Sequence, residues 1–343
     1  DVVKLLLEHS DICEMNATNN SGSTAFMIAC QNGHKDIVQM LLNHSERIDL
    51  NARNNLGVTA LMIACQNGQK DVVKLLLEHS ERIELNARDN FGWTAFMEAC
   101  QNGHQDIVQM LLNHSEKIEL NARKNLRVTA LMIACQNGHK DVVKLLLDHS
   151  DRIELNARNS GGWTPFMYAC VFGHKDVVQL FLDHSDRIEL NAKDNRGWTA
   201  LIFAMNACQK PKVIVKLLLR HSEKINFNAR DKDGQTVLML ACQRARKIIV
   251  KLLLEHSERI ELNAKDNNGN TVLMIASQRR RQDIVQLVIA KLPLENSDID
   301  TSEASEYEDL SQEMRDFIEL HLEASKELKR FIEIHQTKRR KLF

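Results

Sequence analysis

The 343-residue sequence lacks the features that mark membrane proteins, nucleic-acid-binding proteins and common enzymes. No apolar run approaches the roughly 18 residues that span a bilayer, and no signal peptide is visible. The formal net charge is only -1, so overall charge gives no reason to expect nucleic acid or an anionic membrane as a partner. A phosphate loop of the type GxxxxGK(S/T) is absent, as are GxSxG and HExxH. We therefore expect no enzymatic activity, no cofactor and no membrane segment.

Instead, the sequence consists largely of one segment that is repeated with small changes. The stretch LMIACQNGHKDVVKLLLDHSDRIELNAR at 131–158 returns almost unchanged at 61–88. A threonine precedes the apolar stretch of each copy, and successive threonines are 35 residues apart except for one step of 37. These threonines are Thr24, Thr59, Thr94, Thr129, Thr164, Thr199, Thr236 and Thr271. A fixed period in this range predicts a solenoid of stacked repeats.

Each repeat carries the signals of two helices and a loop. Thr59 is placed to cap a first helix through its hydroxyl, and Gly68 to end it in a left-handed conformation. Asp71 opens a second helix with a broad apolar stripe. Residues 89–92 (DNFG) have Asp first and Gly fourth, as type I turns prefer. The sequence therefore predicts helix, turn, helix and hairpin-like loop in every repeat.

This pattern resembles the ankyrin repeat, whose motif runs from a turn Gly through Thr-Pro-Leu-His, Ala-Ala, Gly-His and an apolar second helix to Asn-Ala. The third repeat matches it at Gly92, Thr94-Ala95-Phe96-Met97, Ala99-Cys100, Gly103-His104, Ile107-Val108 and Asn121-Ala122. The resemblance covers residues 1–292 and implies an all-α ankyrin-repeat solenoid. Two departures stand out. The His of the first helix is replaced by Met or Ile, so we expect its hydrogen bond to the Thr to be missing. The segment HSERIEL is two residues longer than usual.

We predict four parts along the chain. Residues 1–15 form a partial repeat (second helix only), 16–292 eight ankyrin repeats, 293–309 an acidic linker, and 310–343 an amphipathic helix with a basic end. From Leu310 to His335, eight positions step alternately by four and three residues, the heptad spacing of a coiled coil. That helix could cap the array, dock a partner or dimerise. The chain opens at Asp1 inside a helix-like line, so we expect it to be a piece of a longer protein.

The cysteines and histidines have the pattern of structural residues. Six of the eight cysteines share one repeat position, where stacked repeats lie on the order of 10 Å apart, too far for a disulfide. Eight histidines share a position near the end of the second helix, where they suit a helix cap but cannot gather around a metal. We expect buried reduced thiols, typical of the cytosol or nucleus, and no metal site.

The residue before each capping threonine varies between repeats, and all three tryptophans of the chain lie there. The resemblance implies that loop tips and the first-helix face grip a partner. Variation at a fixed position favours exposure, and an exposed Trp is a common interface anchor. Half-buried packing between neighbouring tips is the alternative. The predicted partner-binding residues are Trp93, Trp163, Tyr168, Val171, Phe172, Trp198 and Phe203. Five of them, Trp163, Tyr168, Phe172, Trp198 and Phe203, could form one apolar patch, which would mark an interaction site if contiguous.

Basic residues crowd the inter-helix loops of repeats six to eight. They are Lys210, Lys212, Arg244, Arg246, Lys247, Arg279, Arg280 and Arg281. An acidic segment at 295–309 could fold back over these basic loops as an intramolecular clamp that an acidic partner displaces. The alternative is that the basic residues simply form a solvent-exposed surface. Nucleic acid is disfavoured because no aromatic residues interleave the charges. Ala245 and Arg280 stand where Gly is expected, which predicts strain of about 1 kcal/mol each.

These patterns predict a non-catalytic protein-binding scaffold or adaptor located in the cytoplasm or nucleus. The terminal run Lys338-Arg339-Arg340-Lys341 resembles a short nuclear localisation signal. Two other interpretations stay open. The chain could be the regulatory ankyrin arm of a larger enzyme or channel, or a structural spacer with no partner.

Overall fold

The computed structural model describes residues 4, 7, 14–44, 46–206, 211–278 and 281–291. Within these ranges the chain forms sixteen α-helices, two short 3-10 turns and no strand, which confirms the predicted all-α class. The acidic linker, the amphipathic helix and the basic run at 338–341 lie outside the described residues. The helices are α1 (Ala25–Gln31), α2 (Lys35–Asn43), α3 (Ala60–Gln66), α4 (Lys70–Glu78), α5 (Ala95–Asn102), α6 (Gln105–Asn113), α7 (Ala130–Asn137), α8 (Lys140–Asp148), α9 (Pro165–Phe172), α10 (Lys175–Asp183), α11 (Ala200–Met205), α12 (Pro211–Leu219), α13 (Val237–Gln243), α14 (Lys247–Leu254), α15 (Val272–Gln278) and α16 (Gln282–Ile289).

The third repeat shows how its sequence produces the helix pair. Thr94 Oγ1 accepts a hydrogen bond from the backbone N–H of Met97 at 3.3 Å, which caps α5 as predicted. Gly103, with φ 74°, ends that helix in the left-handed conformation. Helix α6 follows and ends at His114, whose Nδ1 donates to the carbonyl oxygen of Met110 at 2.9 Å. The histidine is therefore a helix-capping residue, as its position predicted.

The chain divides into two compact units, Asp1–Asn195 and Arg196–Phe343. In the first unit, the first helices α1, α3, α5, α7 and α9 pack side by side, and so do the second helices α2, α4, α6, α8 and α10. The second unit repeats this arrangement, with α11, α13 and α15 in one row and α12, α14 and α16 in the other. Each unit is therefore a two-layer stack of helices, as repeat proteins require.

Small residues let neighbouring first helices approach closely. Ala99 and Cys100 are both 0% exposed, and the corresponding residues of the other repeats are buried as well. The six cysteines in the described part of the chain are free thiols. Burial raises the pKa of Cys30 to about 12, so the thiol stays protonated at neutral pH. The prediction of buried, reduced cysteines is confirmed for these six residues.

A ladder of asparagines ties each repeat to the next. Asn121 Nδ2 donates to the carbonyl oxygen of Arg152 at 2.8 Å, and the N–H of Glu154 donates back to Asn121 Oδ1 at 2.9 Å. The same pair of bonds recurs at Asn16, Asn51, Asn86, Asn156 and Asn228. One side chain thus satisfies two backbone groups of the following loop, which fixes the repeat period.

In three repeats, a methionine sulfur partly replaces the histidine of the family motif. The backbone N–H of Thr164 donates to Met167 Sδ at 3.4 Å, and the same contact forms at Thr236 and Thr271. The expectation that this position makes no hydrogen bond to the Thr is therefore wrong for these repeats. A thioether is a weak acceptor, so the contact is weaker than the family's own bond.

Three non-glycine residues of the described ranges have the backbone conformation that glycine usually takes. Arg127 has φ 61° at the position where Gly92 has φ 81°, and Ala245 has φ 54°. The predicted strain at Ala245 is confirmed, whereas Arg280 lies outside the described residues. The strain at Arg127 was not predicted. It lies in the tip of the fourth repeat, where Leu126 also has φ 61°.

We expect Arg127→Gly to raise the free energy of unfolding by about 1 kcal/mol, because glycine takes this conformation without the Cβ penalty. Urea denaturation followed by circular dichroism would measure it. Arg127→Ala removes the same side chain but keeps the Cβ, and should stay within about 0.5 kcal/mol of the unaltered protein. Equal effects of the two substitutions would show that the backbone at this tip is not strained.

Candidate protein-binding surface

All three tryptophans are half-buried in the structure. Trp93, Trp163 and Trp198 lie directly before their capping threonines, at the base of the loop tips. The position that the sequence analysis favoured as exposed is therefore only partly exposed at the three tryptophans. One part of each indole remains accessible, and the rings of Trp163 and Trp198 pack on the aromatic residue five positions further along the chain.

In the fifth repeat, four aromatic side chains form a continuous row. The ring of Trp163 meets Tyr168 edge-on at 5.4 Å, Tyr168 stacks on Phe172 at 6.3 Å, and Phe172 stacks on His174 at 6.5 Å. We call these four residues the aromatic row. Tyr168 is 8% exposed and its hydroxyl accepts a hydrogen bond from Asn159 Nδ2 at 3.0 Å. Trp163, Phe172 and His174 are half-buried, so the accessible surface of the row comes from them.

In the sixth repeat, the tryptophan is surrounded by arginines. Trp198 meets Phe203 edge-on at 5.7 Å. The guanidinium carbon of Arg196 lies 4.0 Å from the centroid of the Trp198 ring, and that of Arg244 lies 5.0 Å from it. Burial lowers the pKa of Arg244, and the neighbouring positive charges of Arg246 and Arg196 lower it further. This tip is therefore an aromatic ring covered by positive charge.

The residues of the predicted apolar patch belong to both compact units. Trp163, Tyr168 and Phe172 belong to the first compact unit, whereas Trp198 and Phe203 belong to the second. Phe203 is only 1% exposed, so its prediction as a partner-contacting residue is wrong. The helix position that it occupies is covered by the Trp198 ring, which explains the burial. Val171 is half-buried beside Phe172.

The fourth residue after the capping threonine lies in the first helix, and it is charged in one repeat only. Most repeats have an aliphatic residue there, and the fifth and sixth have Tyr168 and Phe203. The third has Glu98, five residues after Trp93. One carboxylate oxygen of Glu98 is buried and accepts no hydrogen bond from the residues that the structure describes. Sequence reasoning missed Glu98, although its position is that of Tyr168. The aliphatic residues are Ile28, Ile63, Ile133, Leu240 and Ile275.

Charged neighbours surround Glu98. Lys124 Nζ lies 4.1 Å from the centroid of the Trp93 ring. Burial, and secondarily the negative charge of Asp89, raise the pKa of Glu98 to about 7, while Lys124 opposes the shift. Burial lowers the pKa of Lys124 itself. The site therefore combines an aromatic ring, a resident cation and a poorly solvated carboxylate.

Three neighbouring tips carry large exposed apolar side chains that sequence reasoning also missed. Leu56, Phe91 and Leu126 are 56%, 52% and 73% exposed. They occupy one position of the repeat, two residues before the position that holds tryptophan. Backbone hydrogen bonds connect the tips, because the N–H of Asn90 donates to the carbonyl oxygen of Leu56 at 3.0 Å and that of Asn125 to Phe91 at 3.4 Å. We call Leu56, Phe91 and Leu126 the apolar ridge.

The predicted basic loops are exposed where the structure describes them. Lys212, Arg244, Arg246, Lys247 and Arg281 are all exposed, and Lys210, Arg279 and Arg280 lie outside the described residues. Lys247 Nζ pairs with Asp283 at 3.0 Å. Over the described ranges, no group of His, Cys, Asp and Glu has a metal-binding arrangement, and no helix is long and apolar enough to cross a membrane.

Comparisons with known proteins agree with this architecture. The crystal structure of the human ASB11 ankyrin repeat domain is similar with a TM-score of 0.53 over 63% of this chain and 90% of that chain, at 21% sequence identity, which shows a shared fold. No protein with a curated description matches the sequence. A family profile described as ankyrin repeats in three copies matches residues 1–89, 81–159, 152–231 and 204–302. Ankyrin repeats are general protein–protein interaction modules and typically non-catalytic. Because the profile covers most of the sequence, the chain belongs to the ankyrin repeat family.

Proposed function

We propose that this chain is a non-catalytic scaffold or adaptor that binds a protein partner through its loop tips and first-helix face. The observation that carries the proposal is the aromatic row, because Trp163, Phe172 and His174 leave part of their rings accessible side by side. Large rigid side chains of this kind act as interface anchors, and Trp and Tyr are enriched among residues whose loss weakens binding most. The apolar ridge adds exposed apolar side chains at the loop tips of the same compact unit.

Capture from native lysate tests this function. The full chain and a Trp163→Ala, Phe172→Ala variant of matched thermal stability would be used as baits, and the retained proteins compared by mass spectrometry. We expect at least one protein to be retained by the unaltered chain and lost from the variant. Identical retained proteins on both baits would place the binding surface elsewhere. No specifically retained protein on either bait would favour the spacer interpretation.

We also propose that the basic loops bind the acidic segment 295–309 of the same chain. Arg244, Arg246, Lys247 and Lys212 are exposed on the second compact unit, and the described part of that unit ends at Lys291, close in sequence to the acidic residues. Charge complementarity supports this contact, since the segment carries Glu295, Asp298, Asp300, Glu303, Glu306, Glu308 and Asp309. An acidic partner would compete with the segment for the same loops.

A synthetic peptide of residues 293–309 tests the clamp when it is added to a full chain whose acidic residues at 295–309 are replaced by amides. We expect binding that weakens with added salt, and about fivefold weaker binding for Arg244→Gln, Arg246→Gln, because two exposed ion pairs are lost. Lys251→Gln, on the exposed side of α14, is the matched control. The clamp would be contradicted if the peptide does not bind, or if its affinity changes neither with added salt nor with the arginine substitutions.

The remaining features of the scaffold are proposals of the same kind. We propose that residues 16–292 form the functional array and that the protein works in the cytoplasm or nucleus. Support for this location comes from the buried thiols, which suit a reducing compartment.

A further inference from the structure

The third repeat and the tip that follows it differ from most other repeats at three positions near one tryptophan. Glu98 replaces the aliphatic residue of the first helix, Phe91 is the exposed residue of the tip, and Lys124 replaces the Asp or Asn that opens the next tip. Most other positions of neighbouring repeats are nearly identical. Because these residue changes occur together near one tryptophan, they indicate a local function rather than a requirement of repeat stacking.

Glu98 occupies the first-helix position that faces the tryptophan ring in two other repeats. In the fifth and sixth repeats, the side chain at this helix position meets the ring of its tryptophan at 5.4 and 5.7 Å. Glu98 holds this position in the third repeat, and Lys124, which lies over the Trp93 ring, also acts electrostatically on the Glu98 carboxylate. Its buried oxygen accepts no hydrogen bond within the described ranges. A buried acceptor without a donor is costly, so a ligand that supplies one gains binding energy once the side chains that cover this oxygen move aside.

The Trp93 ring already holds a cation. Lys124 Nζ lies over it at 4.1 Å, without an ion pair to Glu98 among the contacts of the described residues. The contact shows that the ring face accepts a positive group, and the long lysine side chain can move away into solvent. Phe91, two residues before Trp93 in the same tip, is 52% exposed and adds an aromatic surface to the edge of the site.

We propose that Trp93, Glu98 and Phe91 form a receptor for an arginine side chain of a protein partner. The guanidinium stacks on the Trp93 ring in place of the Lys124 ammonium and donates paired N–H groups to the Glu98 carboxylate. Apolar side chains next to that arginine pack on the apolar ridge at Phe91 and Leu126. This inference rests on the proposed function, since it names the chemistry of a partner that binds the same face.

Arginine fits this site better than lysine for two reasons. Its planar fork matches a carboxylate with two parallel hydrogen bonds and stacks on an aromatic face. It also keeps its charge when it is desolvated, whereas burial already lowers the pKa of the resident Lys124. The carboxylate must be ionised to bind it. Because the pKa of Glu98 is raised to about 7 by burial and by Asp89, against Lys124, binding should weaken as the pH falls through that value.

The probe is a phage-displayed library of random twelve-residue peptides, selected on the full chain. We expect the enriched peptides to share an arginine next to apolar residues. Glu98→Gln should weaken their binding about tenfold, and replacing the peptide's arginine by neutral citrulline should have the same effect. Lys124→Gln should strengthen binding about threefold, because the resident cation no longer competes. Glu84→Gln, an exposed carboxylate outside the site, is the matched control.

Glu98→Ile separates binding from folding, because Ile63 and Ile133 occupy the same helix position and the variant should keep its thermal stability. Enriched peptides without a basic residue, or peptides whose affinity ignores both Glu98→Gln and the citrulline change, would overturn the inference. Peptides that depend on Trp163 but not on Glu98 would overturn it while the proposed function stands. A selection that yields no binding peptide would count against both.

Discussion

Replacement of Asn121 by alanine is expected to lower the free energy of unfolding by about 2–3 kcal/mol. The side chain bridges two repeats, since its amide donates to Arg152 and its carbonyl oxygen accepts from Glu154. Alanine removes both bonds and leaves two backbone groups of the following loop without their partner. Each lost bond costs about 1 kcal/mol, and the unsatisfied groups add to this. The loss should also loosen the interface between the third and fourth repeats, because stability in a repeat protein depends on neighbouring contacts.

Urea denaturation followed by circular dichroism would measure the change. Asn125→Ala is the matched control, because Asn125 is an exposed asparagine of the adjoining tip. We expect it to stay within about 0.5 kcal/mol of the unaltered protein. Equal stability of the two variants would show that the asparagine ladder does not hold the repeats together.

The second large effect concerns binding. We expect Trp163→Ala, Phe172→Ala to weaken the affinity for the captured partner about 30-fold, the equivalent of about 2 kcal/mol for the loss of an aromatic anchor. Both rings belong to the aromatic row, and Tyr168 between them is held by Asn159. The substitutions therefore remove contact surface while the supporting ring stays in place.

Isothermal titration calorimetry with the purified partner would measure the affinity. Ile248→Ala is the matched control, since Ile248 is 57% exposed and belongs to the second compact unit, whereas the aromatic row belongs to the first. Thermal melting of each variant would show that the fold is kept. A loss of less than threefold for the double variant, or an equal loss for Ile248→Ala, would contradict an anchor role for the row.

The fold was predictable because near-identical repeats present each local signal several times. The threonine caps, the glycine ends and the histidine caps all recur in register, so their meaning could be read from one repeat and checked in the next. Thr94, Gly103 and His114 show the expected geometry. For the asparagine ladder, the sequence shows only that an asparagine recurs. Its hydrogen-bond partners were not predictable, because they lie about one repeat away.

The candidate surface was less predictable, because exposure depends on packing between tips. The sequence analysis chose the position before the threonine, where the three tryptophans are half-buried in the structure. It overlooked the position two residues earlier, where Phe91 and Leu126 are exposed. It treated the Phe203 position as surface, although the tryptophan ring covers it. Comparing every repeat position for its exceptional residue would have found Glu98, since a lone carboxylate interrupts a row of apolar residues.

Hydrogen–deuterium exchange of the full chain, with and without its captured partner, tests the binding face most directly. We predict slower exchange in the tips and first helices of the first compact unit, at residues 89–98, 124–131 and 159–172. The second helices, such as Gln105–Asn113 and Lys175–Asp183, should exchange at unchanged rates. Slower exchange confined to the second helices and the loops that follow them would contradict the account, because the partner would then bind the opposite layer of the stack.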